Sequence, residues 1–284
     1  ARVQGCRPPQ LAPDLSRGLI YKAYTTVTPQ SFLRATIALA HRVERGLRRS
    51  RIRSHKAFLG FCVLVRRRRL AEAILRLGVK HAYEGRMLLR SMIEIHINYD
   101  WIRIGRGHSR ALRFIRFEPH ERLRILRDVA VVFPRDKAEA ALSGFARERA
   151  GTRHLFRVAD PRTGKRSWTK SWASKTALRD RLTDVLDHEA ARAKKPRGDA
   201  FIYGLYAWTS SAVHGGPVSM AEVIRHTPAG PKARPQPETD PRAQMLGAAT
   251  FLVSTIDRLT ADARSRRPYR RELVQLLGVF KRLR

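Results

Sequence analysis

Tyr206, Ser210 and His214, within YAWTSSAVHGGP (206–217), recur every fourth residue and so share one helical face, with Tyr203 one turn before them. A hydroxyl and an imidazole one turn apart can share a hydrogen bond, which is what activation of a serine nucleophile requires. No sharp strand-to-helix elbow presents this serine, however, and no oxyanion donor is identifiable. The same spacing serves an interhelical hydrogen-bond network, because buried polar groups must be paired whatever their function. Gly215, Gly216 and Pro217 stop the helix just beyond His214, where backbone carbonyls favour a protonated imidazole.

A second polar face is carried by HAYEGRMLLRSMIEIHINYDWIRI (81–104). Arg90, Glu94, Asn98 and Trp101 lie three or four residues apart, while Leu88, Met92, Ile95 and Ile102 cover much of the remaining surface. A helix apolar on most sides is central, so part of this face is predicted to be buried, where an arginine needs a carboxylate. Facing the two helices predicts a central polar pocket built from Arg90, Glu94, Tyr206, Ser210 and His214. In chemical terms Arg90 would hold a phosphate, His214 would exchange protons and Glu94 would orient them. In structural terms Glu94 simply neutralises Arg90.

A third group is Trp168 and Trp172 among Lys165, Arg166, Lys170 and Lys175. Indoles that stack bases beside cations that hold phosphates make a single-strand binding surface. Two tryptophans capping the apolar edge of a bundle would leave the same pattern. No His-Glu-x-x-His or comparable spacing appears, so neither a metal nor a cofactor is expected.

These residues must be positioned by helices. Helical patterns run over 28–47, with Thr28 as N-cap and Pro29 in the first turn; over 54–77, closed by Gly78; and over 81–104. Others run over 108–133 with Pro119 as a kink, from Pro134 toward Arg149, and over 174–193, 199–214, 241–263 and 268–283. Residues 151–175 read as a long irregular loop or short hairpin with two exposed tryptophans, and the Pro-rich stretch 227–244 as a solvated connection ending in the Asp240-Pro241 cap. The expectation is an all-α fold: residues 1–18 a disordered or mis-started tail, and 19–284 a single multi-helix bundle.

Fifty-eight Lys and Arg against 24 Asp and Glu give a formal charge of +34, which attracts polyanions and makes nucleic acid, RNA in particular, the first partner to consider. Arginine is nevertheless scattered along the chain and outnumbers lysine 47 to 11, which a GC-rich genome would also produce. The longest apolar run, AFLGFCVLV (57–65), is about half of the ~20 residues a membrane-spanning helix needs, so it reads as a buried helix and no membrane partner is expected. Cys6 and Cys62 form no disulfide framework, and the redox reading is cytoplasmic.

Taken in order, RMLLRSMIEIHINYDWI, RALRFIRFEPHERLRIL and YGLYAWTSSAVHGGP resemble an uncharacterised bacterial all-helical family, domain of unknown function 5677, over roughly residues 30–263. The resemblance implies that the Arg-x-x-x-Glu helix is the one with Arg90 and Glu94, and the Tyr-x-x-x-Ser-x-x-x-His helix the one with Tyr206, Ser210 and His214. A more distant comparison is with the HEPN helical ribonucleases, whose signature is Arg, four to six residues, then His. Arg90 to His96 and Arg113 to His120 fit that spacing, but residues six apart on a straight helix point about 120° away from each other. His214 has no arginine in the matching place. The functional expectation is an RNA-directed, metal-independent ribonuclease-like factor of a bacterial stress or defence system. The alternative is a non-enzymatic basic helical module that binds nucleic acid or an acidic partner, its polar pocket purely structural.

Overall fold

The structure, a computed structural model, describes residues 28–49, 52, 54–129, 132, 134–159, 163–169, 171–173, 177–194, 202, 205–207, 209–210, 224–227, 230–233, 241–262 and 267–283. Helix α1 (Pro29–Arg49) starts where the sequence marks it: the Thr28 hydroxyl accepts the Ser31 N–H at 3.1 Å. Helix α2 (His55–Leu77) is capped by Ser54, whose hydroxyl accepts the Ala57 N–H at 3.1 Å, and is closed by Gly78 at φ 58°. Helix α3 (Ala82–Arg103) follows, within a residue of its expected ends at either side.

The helix expected over 108–133 is two helices, α4 (Gly107–Arg116) and α5 (Glu118–Val129), separated at Phe117. Pro119 causes the break. It has no N–H to continue the ladder and its ring collides with the carbonyl four residues back, yet it fits the first turn of a new helix.

Helix α6 (Arg135–Ala150) leads into one turn of helix, α7 (Arg153–Phe156), and then a hairpin of β1 (Arg157–Ala159) and β2 (Arg166–Trp168) that sets Arg157 opposite Trp168. Of the two readings of 151–175, a long loop or a short hairpin, the described residues form the hairpin, preceded by one helical turn. Helix α8 (Leu178–Ala193) precedes a second hairpin, β3 (Ile224–Thr227) and β4 (Gly230–Ala233), which overlaps the start of the stretch expected to be a solvated connection. Helices α9 (Pro241–Asp262) and α10 (Arg267–Leu283) end the chain. The described residues between 202 and 210 are helical, as the spacing predicts. Tyr203, His214 and the Asp240 cap lie outside the described residues.

The architecture is all-α. Helix α9 is the axis: it packs on α1, α2 and α3, with α10 laid against α1 and α9, and α8 against α3. Its sequence explains this position. PRAQMLGAATFLVSTIDRLTAD is apolar or small on most sides, and Ala248, Ala249, Leu252 and Ile256 are all fully buried, allowing close helix approach. A second core lies beside the first, where Trp101, Ala111, Phe117, Phe156 and Trp172 join α3, α4, α7 and the segment after β2. Among the described residues no helix is long and apolar enough to cross a membrane. Cys62, in the apolar run of α2, is exposed.

Candidate functional site

The polar face of α3 is a packed seam covered by two different elements. At its N-terminal end Arg90 is 6% exposed and donates from Nη2 to Glu94 Oε1 at 2.9 Å. The Arg90 guanidinium lies 3.3 Å from the centroid of the Tyr206 ring, a close cation–π contact. The described helical residues 205–207 and 209–210 therefore cover α3 here, and Arg90, Glu94 and Tyr206 are brought together. Glu94 keeps its side chain 46% exposed, so the pair is buried on the arginine side and open on the carboxylate side.

Burial lowers the pKa of Arg90, and the charge of Glu94 and the Tyr206 hydroxyl act against that shift. Two of its nitrogens, Nε and Nη1, are buried without a hydrogen-bond partner among the described residues. With one of its three nitrogens engaged among the described residues, the guanidinium keeps N–H groups on the other two that can still donate.

Ser210 is on the same face but makes a local bond: its hydroxyl donates to the Tyr206 carbonyl at 2.7 Å, as Thr209 does to the Leu205 carbonyl at 2.8 Å. Its proton is therefore directed along its own helix. His214 lies outside the described residues.

The C-terminal end of the α3 face is covered by α8, a partner the sequence did not indicate. Arg181 donates to the Asn98 side-chain oxygen, and the Trp101 indole N–H donates to Asp184 at 2.8 Å. A cavity of about 280 Å3 opens beside Tyr206, lined by Ile97, Leu178, Arg179, Leu182, Tyr206 and Ala207. Its walls are mostly apolar, so the polar side chains flank an apolar recess.

Arg90 and His96, which fit the ribonuclease spacing on paper, point apart as helix geometry requires. Arg90 meets Tyr206, whereas His96 turns into the core, 3.2 Å from Asp100 and with its ring 4.9 Å from that of Phe251. Burial and the charges of Arg67 and Arg258 hold His96 well below the ordinary imidazole range. Arg113 and His120 both sit in the second core. His120 stacks on Phe117 with its Nε2 2.9 Å from the Thr152 hydroxyl, while Arg113 donates to the Leu155 carbonyl at 2.7 Å.

Of the residues expected to contact nucleic acid, Arg166 is exposed on β2, and Lys170 lies outside the described residues. Trp168 is half-buried, with the Arg149 guanidinium 4.5 Å from its ring. Trp172 corrects the expectation of an exposed indole: it is 8% exposed and packs edge-on against Trp101 and Phe114. The segment after the hairpin folds back onto the α3–α4 corner because an exposed indole there would leave Trp101 and Phe114 uncovered.

Sequence reading missed the buried arginines of α2. RRRRL (66–70) looks like a solvated charge run, yet Arg67 is 0% exposed and Arg68 is buried in an ion cluster with Glu44 and Glu72, each at 2.7 Å. The signal was present: Gly60, Val63, Leu64, Arg67, Leu70, Ala71 and Ile74 follow one helical stripe. Asp100, buried between His96 and Arg258 of α9, was missed too, as its partner is 158 residues away.

No curated protein and no solved structure matches the chain. One family model does, the family of unknown function DUF5677, over residues 57–231, a span holding all of α3, α8 and the helical residues 205–207 and 209–210. With well over half of its length matched and both polar faces inside the match, this chain belongs to the family of unknown function DUF5677.

Proposed function

We propose that the protein acts on RNA as a metal-independent ribonuclease-like factor, with the Arg90 seam as the place where a backbone phosphate is held. The observation that carries this reading is the Arg90 guanidinium: fixed in plane by the Tyr206 ring, anchored by one nitrogen to Glu94, and with two buried nitrogens that lack an acceptor among the described residues. A phosphate would supply those acceptors, and the formal charge of +34 would draw an RNA strand toward them.

His214 enters from the family resemblance and from its place one turn after Ser210. As base it would take the proton of a ribose 2′-hydroxyl, whose oxygen then attacks the adjacent phosphorus. The bond to the 5′-oxygen breaks, that oxygen takes a proton from water, and the products are a 2′,3′-cyclic phosphate and a 5′-hydroxyl. Arg90 would stabilise the charge gained by the phosphate oxygens, and Glu94 would hold Arg90 in register.

The test is incubation of the purified chain with end-labelled single-stranded RNA in the presence of a chelator. Cleavage to cyclic-phosphate ends, lost in His214→Ala, is expected. Intact RNA, or a His214→Ala variant that cuts as well as the parent, refutes the reading.

A second reading is favoured by a specific observation: Ser210, Asn98 and Trp101 all place their polar groups in internal hydrogen bonds. In that case the seam is structural and the protein is a basic helical module that binds nucleic acid without cutting it. It predicts salt-sensitive RNA binding that survives His214→Ala.

A further inference from the structure

A second site stands at the α3–α4 corner, eleven residues along α3 from Arg90 and so about 16 Å away along the helix axis. There the chain turns within three residues. Gly105 adopts φ 62°, and Gly107 packs so closely that a Cβ on it would lie 2.9 Å from the Ile102 carbonyl oxygen. This tight corner sets α4 against the end of α3 and opens a cleft of about 450 Å3, lined by Trp101, Arg106, Ser109, Arg110, Arg113 and Trp172 among others. That volume is within the range of about 300–1,000 Å3 typical of small-molecule sites.

Arg110 and Arg113, three apart on one face of α4, and Arg106, the residue that precedes the helix, present three guanidiniums to one cavity. GHSRALRFIR, the sequence of α4, contains no acid to offset them. Like charges on adjacent turns destabilise a helix, and here two of them are also partly desolvated: burial holds Arg110 and Arg113 below the ordinary guanidinium value. Both are nevertheless fixed. Arg110 lies 3.8 Å from the Trp101 ring centroid and donates to the Trp101 and Ile104 carbonyls at 2.6 and 3.0 Å, and Arg113 donates to the Leu155 carbonyl. Arg106 is exposed at the mouth.

We infer that this cleft binds a nucleoside phosphate, its phosphate among Arg106, Ser109 and Arg113 and its base over the guanidinium of Arg110. Apolar walls alone would suit a neutral ligand, and a cationic surface alone any polyanion. A cleft that joins indole edges, an arginine already stacked on an indole, and two further guanidiniums suits a ligand that is flat at one end and anionic at the other. The ligand can be a free nucleotide or the phosphorylated end of an RNA strand, which share this chemistry. The inference does not depend on phosphate binding at Arg90.

Trp101 and Trp172 report on the cleft directly, so the test is tryptophan fluorescence of the intact chain titrated with adenosine 5′-monophosphate. A saturable change is expected, with adenosine and inorganic phosphate each binding at least about tenfold more weakly. Arg106→Glu, at an exposed position, should weaken the nucleotide by about tenfold or more, while Arg124→Glu, the same charge change on the exposed surface of α5, should not. Arg90→Met should leave the titration unchanged, which separates this site from the seam. A 5′-phosphorylated oligoribonucleotide that binds more tightly than the mononucleotide assigns the cleft to strand ends, and the reverse order assigns it to free nucleotides. No saturable change, adenosine binding as tightly as its monophosphate, or Arg106→Glu matching Arg124→Glu overturns the inference.

Discussion

Replacing Arg67 by methionine should make the protein more stable. Arg67 is fully buried on α2, and its acceptors are the Phe251 carbonyl at 3.1 Å, the Thr255 hydroxyl and the Met92 carbonyl at 3.4 Å. None is a carboxylate, and its Nε has no partner among the described residues. Burial, followed by the neighbouring charge of Arg258, lowers its pKa from the ordinary guanidinium value to about 9, so keeping it charged at neutral pH costs of the order of 5 kcal/mol. Its hydrogen bonds offset part of this at about 1.5–3 kcal/mol each.

Methionine fills nearly the same volume without the charge. The Phe251 carbonyl still receives the Thr255 hydroxyl at 2.8 Å, so no acceptor is stranded there. Exchange of a buried charge for a packed apolar side chain typically stabilises by about 1–4 kcal/mol, which for a chain of this size raises Tm by about 2–4 °C per kcal/mol. Arg67→Ala relieves the same charge but leaves a void, and should fall about 2–5 kcal/mol below Arg67→Met.

The pH dependence adds a control. Above pH 9 the unfolded chain holds the Arg67 proton that the folded chain releases, so wild-type stability should rise with pH from there, and this rise should vanish in Arg67→Met. Urea unfolding at pH 7 and pH 10 measures both effects. A methionine variant less stable than the parent at pH 7 would mean that the three hydrogen bonds outweigh the buried charge, and the reasoning would be wrong.

Acid should act through two histidines. His120 is held at about 4 by burial and then by Arg149, and His96 well below its ordinary 6.5 by burial and then by Arg67 and Arg258. Each takes up a proton on unfolding once the pH drops below 6.5, so stability should fall from there toward pH 4, by at most about 1.4 kcal/mol per pH unit for each group. Urea midpoints across that window measure the slope, and His120→Phe should remove one proton from it. At the α3–α4 corner, Gly107→Ala places a Cβ 2.9 Å from a backbone oxygen that cannot move aside, and should cost about 1–3 kcal/mol in the same assay.

The elements were legible wherever local chemistry decides them. Thr28, Ser54 and Gly78 mark helix ends because capping satisfies backbone groups within four residues. The pairing of Arg90 with Glu94 follows from one turn of helix, and the meeting with Tyr206 from two polar faces that each needed cover. What was hidden depends on distant partners. Nothing near Asn98 and Trp101 announces that Arg181 and Asp184, 83 residues on, will close their face.

Trp172 was left between two readings because lysines and arginines flank it in sequence, whereas its neighbours in space, Trp101 and Phe114, favour the apolar one. Arg67 was missed because a run of four arginines suggests solvent, whereas helical rotation sends the second of them into the core. The break at Phe117 was half visible, since Pro119 announced a bend but not whether the chain would kink or restart.

The proposed role of Arg90 is best tested by measuring RNA binding and single-turnover RNA cleavage side by side in the wild type and in Arg90→Lys. Lysine keeps the charge but loses the planar guanidinium that stacks on the Tyr206 ring. Binding should change little, while cleavage should fall by about a hundredfold or more, the loss expected when a donor to transition-state charge is removed. Equal cleavage by the two proteins would contradict the proposal and leave the seam a structural feature of the bundle.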